Sequence, residues 1–254
     1  MTDGPSTKRP VRTPGNPRGL RDLPFELPRV DQSEKRRAAR LAKALESHYP
    51  GAVCELDFGA PHELLVATIL SAQSTDAGVN KVTPALFEAF PTPADYADAS
   101  PSEIEPYIRT LGLYRNKARA VREAMATLVE AHGGEVPRDV ASLLRLRGVA
   151  RKTAGVVLGN CFGINDVFVV DTHIHRLARR FCLIEEGDNA QRAERKLMAL
   201  FPRSKWCELS HRFIWHGRRA CTARGGTCGE HPICRSFGSC CEKRDGDRSL
   251  AARG

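Results

Sequence analysis

Hydrophobic residues recur at helical spacing along most of the chain. The segment DQSEKRRAARLAKALESHY opens with a capping box from Asp31 to Glu34 and continues at helical period. The segment HELLVATILSAQ is apolar on nearly every face, as expected of a central buried helix. One stretch, DVFVVD, is strand-like, and it is too short and isolated to build a sheet. The pattern therefore predicts an all-α fold.

The two ends of the chain lack this period. Residues 1–33 begin with a stretch rich in Pro, Gly and Arg and predict a basic flexible arm, and residues 242–254 predict a flexible tail. An organelle transit peptide would need an amphipathic helix, which the prolines and glycines of the arm would break. No run reaches the roughly 18 apolar residues of a membrane helix, and the start has no apolar signal core. We expect a cytoplasmic protein without a membrane partner.

Composition adds a class of partner to this picture. The chain has 254 residues, of which 41% are hydrophobic, and this is typical of a soluble globular protein with one or two cores. Lys and Arg together number 39 against 30 Asp and Glu, which gives a net charge of +9. Such a charge favours a polyanionic partner such as nucleic acid, although a generally basic surface is the plain alternative.

Cysteine placement points to a metal. Five of the nine cysteines crowd into residues 221–241, which is typical of a metal site in a reducing compartment rather than of a disulfide scaffold. These five are Cys221, Cys228, Cys234, Cys240 and Cys241. The other four lie in apolar or helical stretches and are predicted to pack in the interior. They are Cys54, Cys161, Cys182 and Cys207.

A lysine stands where a helix is predicted to begin. In LRLRGVARKTAGVVLGN, Gly148 and Val149 suit a tight hairpin that leads into a helix carrying Lys152 in its first turn. The partial positive charge of a helix N-terminus disfavours an ammonium there and favours the neutral, nucleophilic amine, and partial burial would act in the same direction. Lys152 is therefore either a solvated surface lysine or a prepared nucleophile.

An acidic residue opens a later helix. Asp171 ends an apolar run and precedes THIHRLARR, which predicts that it caps that helix. A carboxylate held by backbone N–H groups can also accept a proton or stabilise a developing positive charge. His173 and His175 either face DNA or lie on the surface of this helix.

Five segments follow one another along the chain in this order: LSAQSTDAGVNK, LGLYRNKA, GEVPRDVASLLRLRGVARKTAGVV, VVDTHIHR and HGRRACTARGGTC. Together they resemble the endonuclease III family of the helix-hairpin-helix DNA glycosylase superfamily over roughly residues 34–241. The resemblance implies a two-domain fold in which residues 54–164 form a helical barrel with the hairpin. Residues 34–53 and 165–241 would form a second domain with an iron-sulfur cluster loop, and DNA would run across the cleft between the domains.

The resemblance also implies an activity. The family combines a DNA glycosylase with an abasic-site lyase and removes oxidised pyrimidines from duplex DNA. Lys152 would attack C1′ of the flipped nucleotide and form a Schiff base before β-elimination, while Asp171 would assist its deprotonation and stabilise the cationic sugar. Relatives that remove adenine from mismatches carry another residue at the lysine position, so Lys152 favours lyase chemistry.

The same resemblance assigns residues to the DNA. Gln73 would fill the gap opposite the estranged base, and Leu113 would wedge the duplex, whereas the residues alone favour a polar helix end and a core leucine. The hairpin would present its backbone N–H groups to a phosphate. The complete set of predicted DNA-binding residues is Gln73, Leu113, Arg147, Gly148, Val149, Ala150, Arg151 and His173.

The hairpin departs from the family pattern at two positions. The family has Pro before the first glycine and a second glycine after the valine, where this chain has Arg147 and Ala150. Ala150 would obstruct the phosphate, or be strained if the backbone needs a positive φ, and Arg147 would add a phosphate contact. We expect weaker or redirected DNA binding rather than its loss.

The cysteine spacing departs as well. By resemblance the cysteines hold a [4Fe-4S] cluster, and Cys221-x6-Cys228 and Cys234-x5-Cys240 match the first and last family spacings. The middle gap has five residues where the family has two, and His231 stands where the third cysteine usually falls. The predicted ligands are Cys221, Cys228, Cys234 and Cys240, with Cys241 or His231 as replacements. A structural zinc is the alternative, but zinc sites favour closely spaced cysteine pairs.

The expected partner is double-stranded DNA that contains a damaged pyrimidine or an abasic site, bound by a monomer associated with a bacterial nucleoid. Two alternatives stay open at this point. One is a non-catalytic or weakly active DNA-binding paralogue, and the other is a lyase that acts mainly on abasic sites or another lesion. Lesion preference depends on pocket side chains from several loops, which the segments above do not identify.

Overall fold

The computed structural model describes residues 23–224 and 228–241, and its regular elements there are all helical. The α-helices are α1 (Gln32–His48), α2 (Pro61–Leu70), α3 (Asp76–Ala89), α4 (Pro93–Asp98), α5 (Pro101–Ile108), α6 (Tyr114–His132), α7 (Val140–Leu143), α8 (Arg151–Val157), α9 (Thr172–Arg180), α10 (Ala190–Leu200), α11 (Trp206–Arg219) and α12 (Pro232–Phe237). A π-helical turn, Leu158–Phe162, continues α8, and a 3-10 turn, Arg203–Lys205, precedes α11. The all-α prediction is confirmed.

The described residues divide into two units. The first unit is Cys54–Asp166, and the second combines residues 23–53 with residues 167–241. Each has its own hydrophobic core. Of the predicted flexible ends, residues 1–22 and 242–254 lie outside the described residues. None of the helices described has the length and apolar character needed to cross a bilayer.

The last part of the predicted arm is ordered. Leu23, Phe25, Leu27 and Val30 pack against the core of the second unit, and the guanidinium of Arg195 lies 4.6 Å from the centre of the Phe25 ring. The prediction of a flexible arm up to residue 33 is therefore wrong for this stretch. Its apolar side chains lie among prolines and arginines, so composition masked them.

Helix α2 is the centre of the first unit. Every residue from Leu64 to Leu70 is buried, as the apolar pattern predicted. The one hydroxyl in this run, Thr68 Oγ1, donates to the Leu64 carbonyl at 2.7 Å, which satisfies a polar group that burial would otherwise penalise. Contacts of α2 with α3, α6 and α8 hold the helix that carries Lys152.

In the second unit, α9 and α11 pack closely where a glycine faces a histidine. A Cβ at Gly217 would lie 3.1 Å from the Cβ of His173 and 3.3 Å from Leu177 Cδ1. The absence of a side chain at 217 therefore lets the two helices approach each other near the start of α9. This approach also places Arg176 where its Nη2 donates to the carbonyls of Gly217 and Cys221, at 2.9 and 3.0 Å.

Candidate active site and metal centre

The hairpin between α7 and α8 is a tight turn that requires glycine. The Val149 N–H donates to the Leu146 carbonyl at 3.2 Å, and Gly148 between them has φ +77°. A bond across four residues with a positive φ at the third position is typical of a type II turn. A Cβ at Gly148 would also lie 3.3 Å from the Cβ of Ala120. Both the backbone angle and the space therefore select glycine at 148.

The two departures from the family hairpin are accommodated without strain. Ala150 has φ −93° and ψ 170°, an extended conformation that any residue adopts, and it is the N-cap residue of α8. The strain considered for Ala150 required a positive φ, and the structure does not have one there. Arg147 is exposed, and its Nη1 lies 3.1 Å from Glu123 Oε2. Such an exposed ion pair is weak, so the guanidinium can be exchanged to another anion.

Lys152 lies in the first turn of α8, as predicted. Its side chain is exposed, and its ammonium has no hydrogen-bond or ion-pair partner among the described residues. The preceding residue, Arg151, is half-buried, and its Nη2 lies 3.4 Å from the Asp166 carbonyl. The structure thus presents the Lys152 amine directly after the hairpin in the chain, solvated and without a polar contact to the described residues.

Gln73 and Leu113 both protrude from turns with unusual backbone geometry. Their φ angles are 54° and 59°, in the left-handed region that favours glycine. Gln73 is exposed, and 56% of the Leu113 side chain is exposed, which is high for a large apolar residue. The interpretation of Leu113 as a core leucine is wrong. The exposed Leu113 side chain is free to contact a partner.

Asp171 caps α9, as predicted. Its Oδ1 accepts a hydrogen bond from the Ile174 N–H at 2.8 Å, and its side chain is half-buried. His173 in the first turn is half-buried, and its Nδ1 lies 3.3 Å from Arg176 Nη2. Burial lowers the pKa of His173, with a smaller opposing effect of Asp171, so the neutral imidazole is favoured. His175 points elsewhere and contacts the Asp188 carbonyl through Nε2 at 2.7 Å.

Three of the predicted ligand thiols come together in the second unit. Cys221, Cys228 and Cys234 are buried, and their sulfur atoms all lie within 4.8 Å of one another. Arg180 Nη1 donates to Cys221 Sγ at 3.0 Å, and His216 Nε2 lies 3.2 Å from Cys234 Sγ. We call Cys221, Cys228 and Cys234 the thiol group.

The thiol group favours one negative charge and resists more. Hydrogen bonding by Cys234, with smaller contributions from His216, Cys228 and Arg180, outweighs burial and lowers the pKa of Cys221 well below its usual value. Burial and the neighbouring Cys221 sulfur raise the pKa of Cys228. Further thiolates therefore need a cation among them, and soft sulfur ligands select iron-sulfur clusters or zinc. The thiol group fits a metal centre.

The fourth predicted ligand lies elsewhere. Cys240 forms a disulfide with Cys182, with the two Cα atoms 5.5 Å apart. A sulfur in a disulfide has no thiolate to coordinate a metal, so the structure does not place Cys240 with the thiol group. The expectation that Cys182 packs as a buried thiol is also wrong, whereas Cys54, Cys161 and Cys207 are half-buried.

The two replacements considered for the fourth ligand differ in surroundings. Cys241 is buried, and a negative charge on it would raise the pKa of both Cys228 and Arg180. His231 accepts from the Ile233 N–H through Nδ1 at 3.2 Å and so begins α12. Its Nε2 lies 3.4 Å from the Tyr49 hydroxyl, and one of its ring nitrogens lies within 4.8 Å of the Cys234 sulfur.

Sequence reasoning missed the residues that support these sites. Arg176 and Arg180 hold the segment around Cys221, but an arginine-rich helix end predicts only a basic surface. Lys117 is buried against Ser74, although lysine as a residue type favours the surface. The apolar period of α6 is the one available signal, because it places residue 117 beside Val121 on the buried face.

Comparisons with known proteins agree with this arrangement. Residues 66–203 match the model of the HhH-GPD superfamily base excision DNA repair protein family. Endonuclease III of Synechocystis sp. is 48% identical over 198 residues, which cover 78% of this chain and 90% of the relative. Endonuclease III of Escherichia coli K12 is 40% identical over 195 residues, which cover 77% of this chain and 92% of the relative.

Solved structures extend the similarity to the backbone. A non-covalent endonuclease III–DNA complex superposes with a TM-score of 0.79 at 39% identity, covering 85% of this chain and 98% of that one. A trapped covalent intermediate of endonuclease III with DNA, an estranged-adenine complex, gives a TM-score of 0.78 at 39% identity, with the same coverage of both chains. A thermostable thymine-DNA glycosylase, 20% identical with a TM-score of 0.72, shares the fold. The chain belongs to the endonuclease III family of the HhH-GPD superfamily of base excision DNA repair proteins.

Proposed function

We propose that this chain is a bifunctional DNA glycosylase and abasic-site lyase that removes oxidised pyrimidines from duplex DNA. The observation that carries the proposal is the exposed Lys152 amine, which lies in the first turn of α8 directly behind the hairpin and has no partner among the described residues. A similar structure is a trapped covalent intermediate with DNA, and a covalent intermediate requires a nucleophile of this kind.

The reaction begins when the neutral Lys152 amine attacks C1′ of the extruded nucleotide. The C1′–N bond breaks, and the base leaves with the bonding electrons and takes up a proton. The new secondary ammonium loses a proton, and its nitrogen lone pair then forms the C=N bond while the C1′–O4′ bond breaks and O4′ takes up a proton. The sugar ring is thereby opened and a protonated Schiff base remains. Removal of a C2′ proton then drives β-elimination, in which the C3′–O bond breaks and the 3′ phosphate departs. Hydrolysis releases the enzyme.

Asp171 supports the charged stages of this sequence. Its carboxylate is held in place by the Ile174 N–H, so one oxygen keeps a fixed position at the start of α9. Such a group accepts a proton from the Lys152 ammonium, which frees the amine for attack, and stabilises positive charge on the sugar. The cap and the catalytic role use the same ionised carboxylate.

The remaining residues bind the duplex. In the proposed complex, backbone N–H groups of the hairpin other than that of Val149, which is bonded to the Leu146 carbonyl, donate to a phosphate. The exchangeable Arg147 guanidinium adds a second phosphate contact. Gln73 and Leu113 enter the base stack when the damaged nucleotide leaves it, because extrusion opens a gap that a side chain must fill. His173, half-buried in the first turn of α9, is also assigned to the DNA contact, and burial keeps its imidazole neutral.

The metal centre is a [4Fe-4S] cluster held by the thiol group and Cys241. Cys241 is the supported fourth ligand because it is a buried thiol, whereas Cys240 is paired with Cys182. When bound, such a cluster supplies charge and crosslinks to the segment 221–241 and requires no redox turnover. Absorbance near ~400 nm together with iron and sulfide content tests this assignment. A colourless protein containing zinc would refute it.

The working unit is a monomer that acts on the chromosome in the bacterial cytoplasm. The net charge of +9 supports association with DNA along its length. Sedimentation with and without a short duplex tests the stoichiometry, and a dimer on one lesion would contradict it.

Borohydride trapping tests the proposed function. The duplex carries one thymine glycol, and native protein is compared with Lys152→Ala. A covalent adduct with native protein alone supports Schiff-base chemistry on an oxidised pyrimidine. A folded, metal-loaded native protein that gives no adduct on thymine glycol but does so on an abasic site would restrict the activity to lyase chemistry. No adduct on either would favour the non-catalytic DNA-binding protein.

A further inference from the structure

Two turns in the first unit hold non-glycine residues in left-handed backbone. Gln73 lies just before α3, and Leu113 lies just before α6. A left-handed conformation is unfavourable for residues that carry a Cβ, and it persists where the surrounding structure fixes it. Both turns therefore need a contact that holds them.

One residue contacts both turns. The backbone N–H of Lys117, in the first turn of α6, donates to the Leu113 carbonyl at 3.0 Å. Its ammonium donates to Ser74 Oγ at 2.7 Å, and Ser74 directly follows Gln73. A single residue is thus bonded to each of the two turns.

Hydrogen bonds fix the Gln73 turn on both sides of Gln73. Lys117 bonds to the residue on the C-terminal side, Ser74. The Ser74 N–H donates to the Ser71 carbonyl at 3.1 Å. Thr75 then caps α3 by accepting from the Gly78 N–H at 3.1 Å. Ser74 lies between these bonds in the chain. The hydrogen bond from Lys117 to the Ser74 hydroxyl therefore restricts the backbone of the adjacent Gln73.

The stability of the core does not call for a charge at position 117. The side chain is only 5% exposed, and burial lowers the pKa of the Lys117 ammonium. Among the described residues it pairs with the Ser74 hydroxyl and with no carboxylate. Burial of a charge without an anionic partner is costly, and an apolar residue of the same length would pack at lower cost. The costly ammonium is bonded to the Gln73 turn, and the backbone of the same residue is bonded to the Leu113 turn, which indicates a role in the action of these turns.

We propose that Lys117 is a positioning residue that fixes the Gln73 and Leu113 turns together before DNA binds. With the turns held, both side chains are ready to enter the stack when the damaged nucleotide leaves it. The role of Lys117 rests on the proposed function, because it acts through the two gap-filling residues. It does not touch the reacting atoms.

The first test measures extrusion without chemistry. Lys152→Ala protein is mixed with a duplex that carries thymine glycol opposite 2-aminopurine, whose fluorescence rises when the base is unstacked. Addition of Lys117→Met, which keeps the length of the side chain and removes the ammonium, is expected to reduce this rise markedly. Lys81→Met, which removes an exposed lysine of α3, is the charge control and should leave the signal unchanged.

The second test measures turnover in the protein that retains Lys152. Lys117→Met and Ser74→Ala should each slow cleavage of the duplex by about tenfold in kcat, and the double variant should be no slower than either alone. Cleavage of an abasic site in single-stranded DNA should stay unchanged, because a single strand has no gap to fill. Ser74→Ala provides the test if Lys117→Met fails to fold.

The outcomes separate the two proposals. Equal losses on single-stranded and duplex DNA would overturn the positioning role, since they would indicate general damage to the fold. A fluorescence rise in Lys117→Met as large as that in the Lys81→Met control would also overturn it. A native protein with no turnover would refute the proposed function, while the fluorescence comparison would still decide the role of Lys117.

Discussion

The hairpin of the first unit and the thiol group of the second are organised by different forces. The hairpin is complete in the polypeptide alone, because a backbone hydrogen bond, the glycine at 148 and the start of α8 define it. The thiol group is incomplete in the polypeptide alone. Its buried thiols favour one thiolate, at Cys221, and oppose ionisation of a second at Cys228. The backbone therefore forms the hairpin before DNA binds. The thiol group can hold several thiolates close together only when a metal is bound among them.

Removal of a metal ligand should produce the largest effect and confine it to the second unit. Cys221→Ala is expected to abolish metal content and to destabilise the second unit by on the order of 5 kcal/mol, because metal binding and folding are coupled. Hydrogen exchange should accelerate in residues 228–241 and stay unchanged from residue 146 to residue 152. Cys161→Ala, in the first unit, should retain the metal. Equal loss of protection in both regions would contradict the comparison.

Substitution of Asp171 separates its cap from its chemistry. Asn is a good N-cap residue, so Asp171→Asn should leave the free energy of unfolding within about 0.5 kcal/mol of native while turnover falls about a hundredfold. Asp171→Ala should lose turnover and also about 1 kcal/mol of stability, because the Ile174 N–H loses its acceptor. Chemical denaturation and single-turnover kinetics measure the two quantities. Native turnover in the Asn variant would limit Asp171 to the cap.

Substitution of Gly148 tests whether the preformed hairpin contacts DNA. Gly148→Ala should destabilise the first unit by roughly 1–2 kcal/mol through its positive φ and should weaken binding of undamaged duplex by about tenfold. Gly134→Ala is the matched control, since Gly134 also has a positive φ, 83°, with nothing near its absent side chain. It should cost similar stability and leave duplex affinity unchanged. Equal losses of affinity in both variants would remove the hairpin from the DNA contact.

The smallest expected effect concerns the charge beside the hairpin. Arg147→Pro suits the second position of a type II turn, so stability should be unaffected, and the loss of one phosphate contact should reduce the salt dependence of binding by about one counterion. Glu123→Gln frees the Arg147 guanidinium and should act in the opposite direction. Duplex titrations at several salt concentrations measure both. Identical slopes in the two variants would show that Arg147 makes no phosphate contact.

Local patterns predicted the elements of the site well where the cause is local. The cap at Asp171, the glycine of the hairpin and the position of Lys152 in the first turn of α8 follow from neighbouring residues. The exposure of Leu113 does not, because an isolated leucine favours the core, and only the resemblance to a family gave it a role.

Long-range contacts decided the rest. Cys240 and Cys241 are adjacent, so spacing from Cys234 cannot choose between them, and the choice depends on Cys182, 58 residues before Cys240. The burial of Lys117 depends in the same way on Ser74, 43 residues earlier in the chain. Residues 23–30 pack because a core formed by later helices accepts their apolar side chains.

The most direct test of the account is the location of the covalent bond. Native protein is trapped on the thymine glycol duplex with borohydride and digested, and the modified peptide is identified by mass spectrometry. The account predicts that the nucleotide is attached to Lys152, the exposed amine behind the hairpin. Attachment to Lys117 or to any other amine would contradict it.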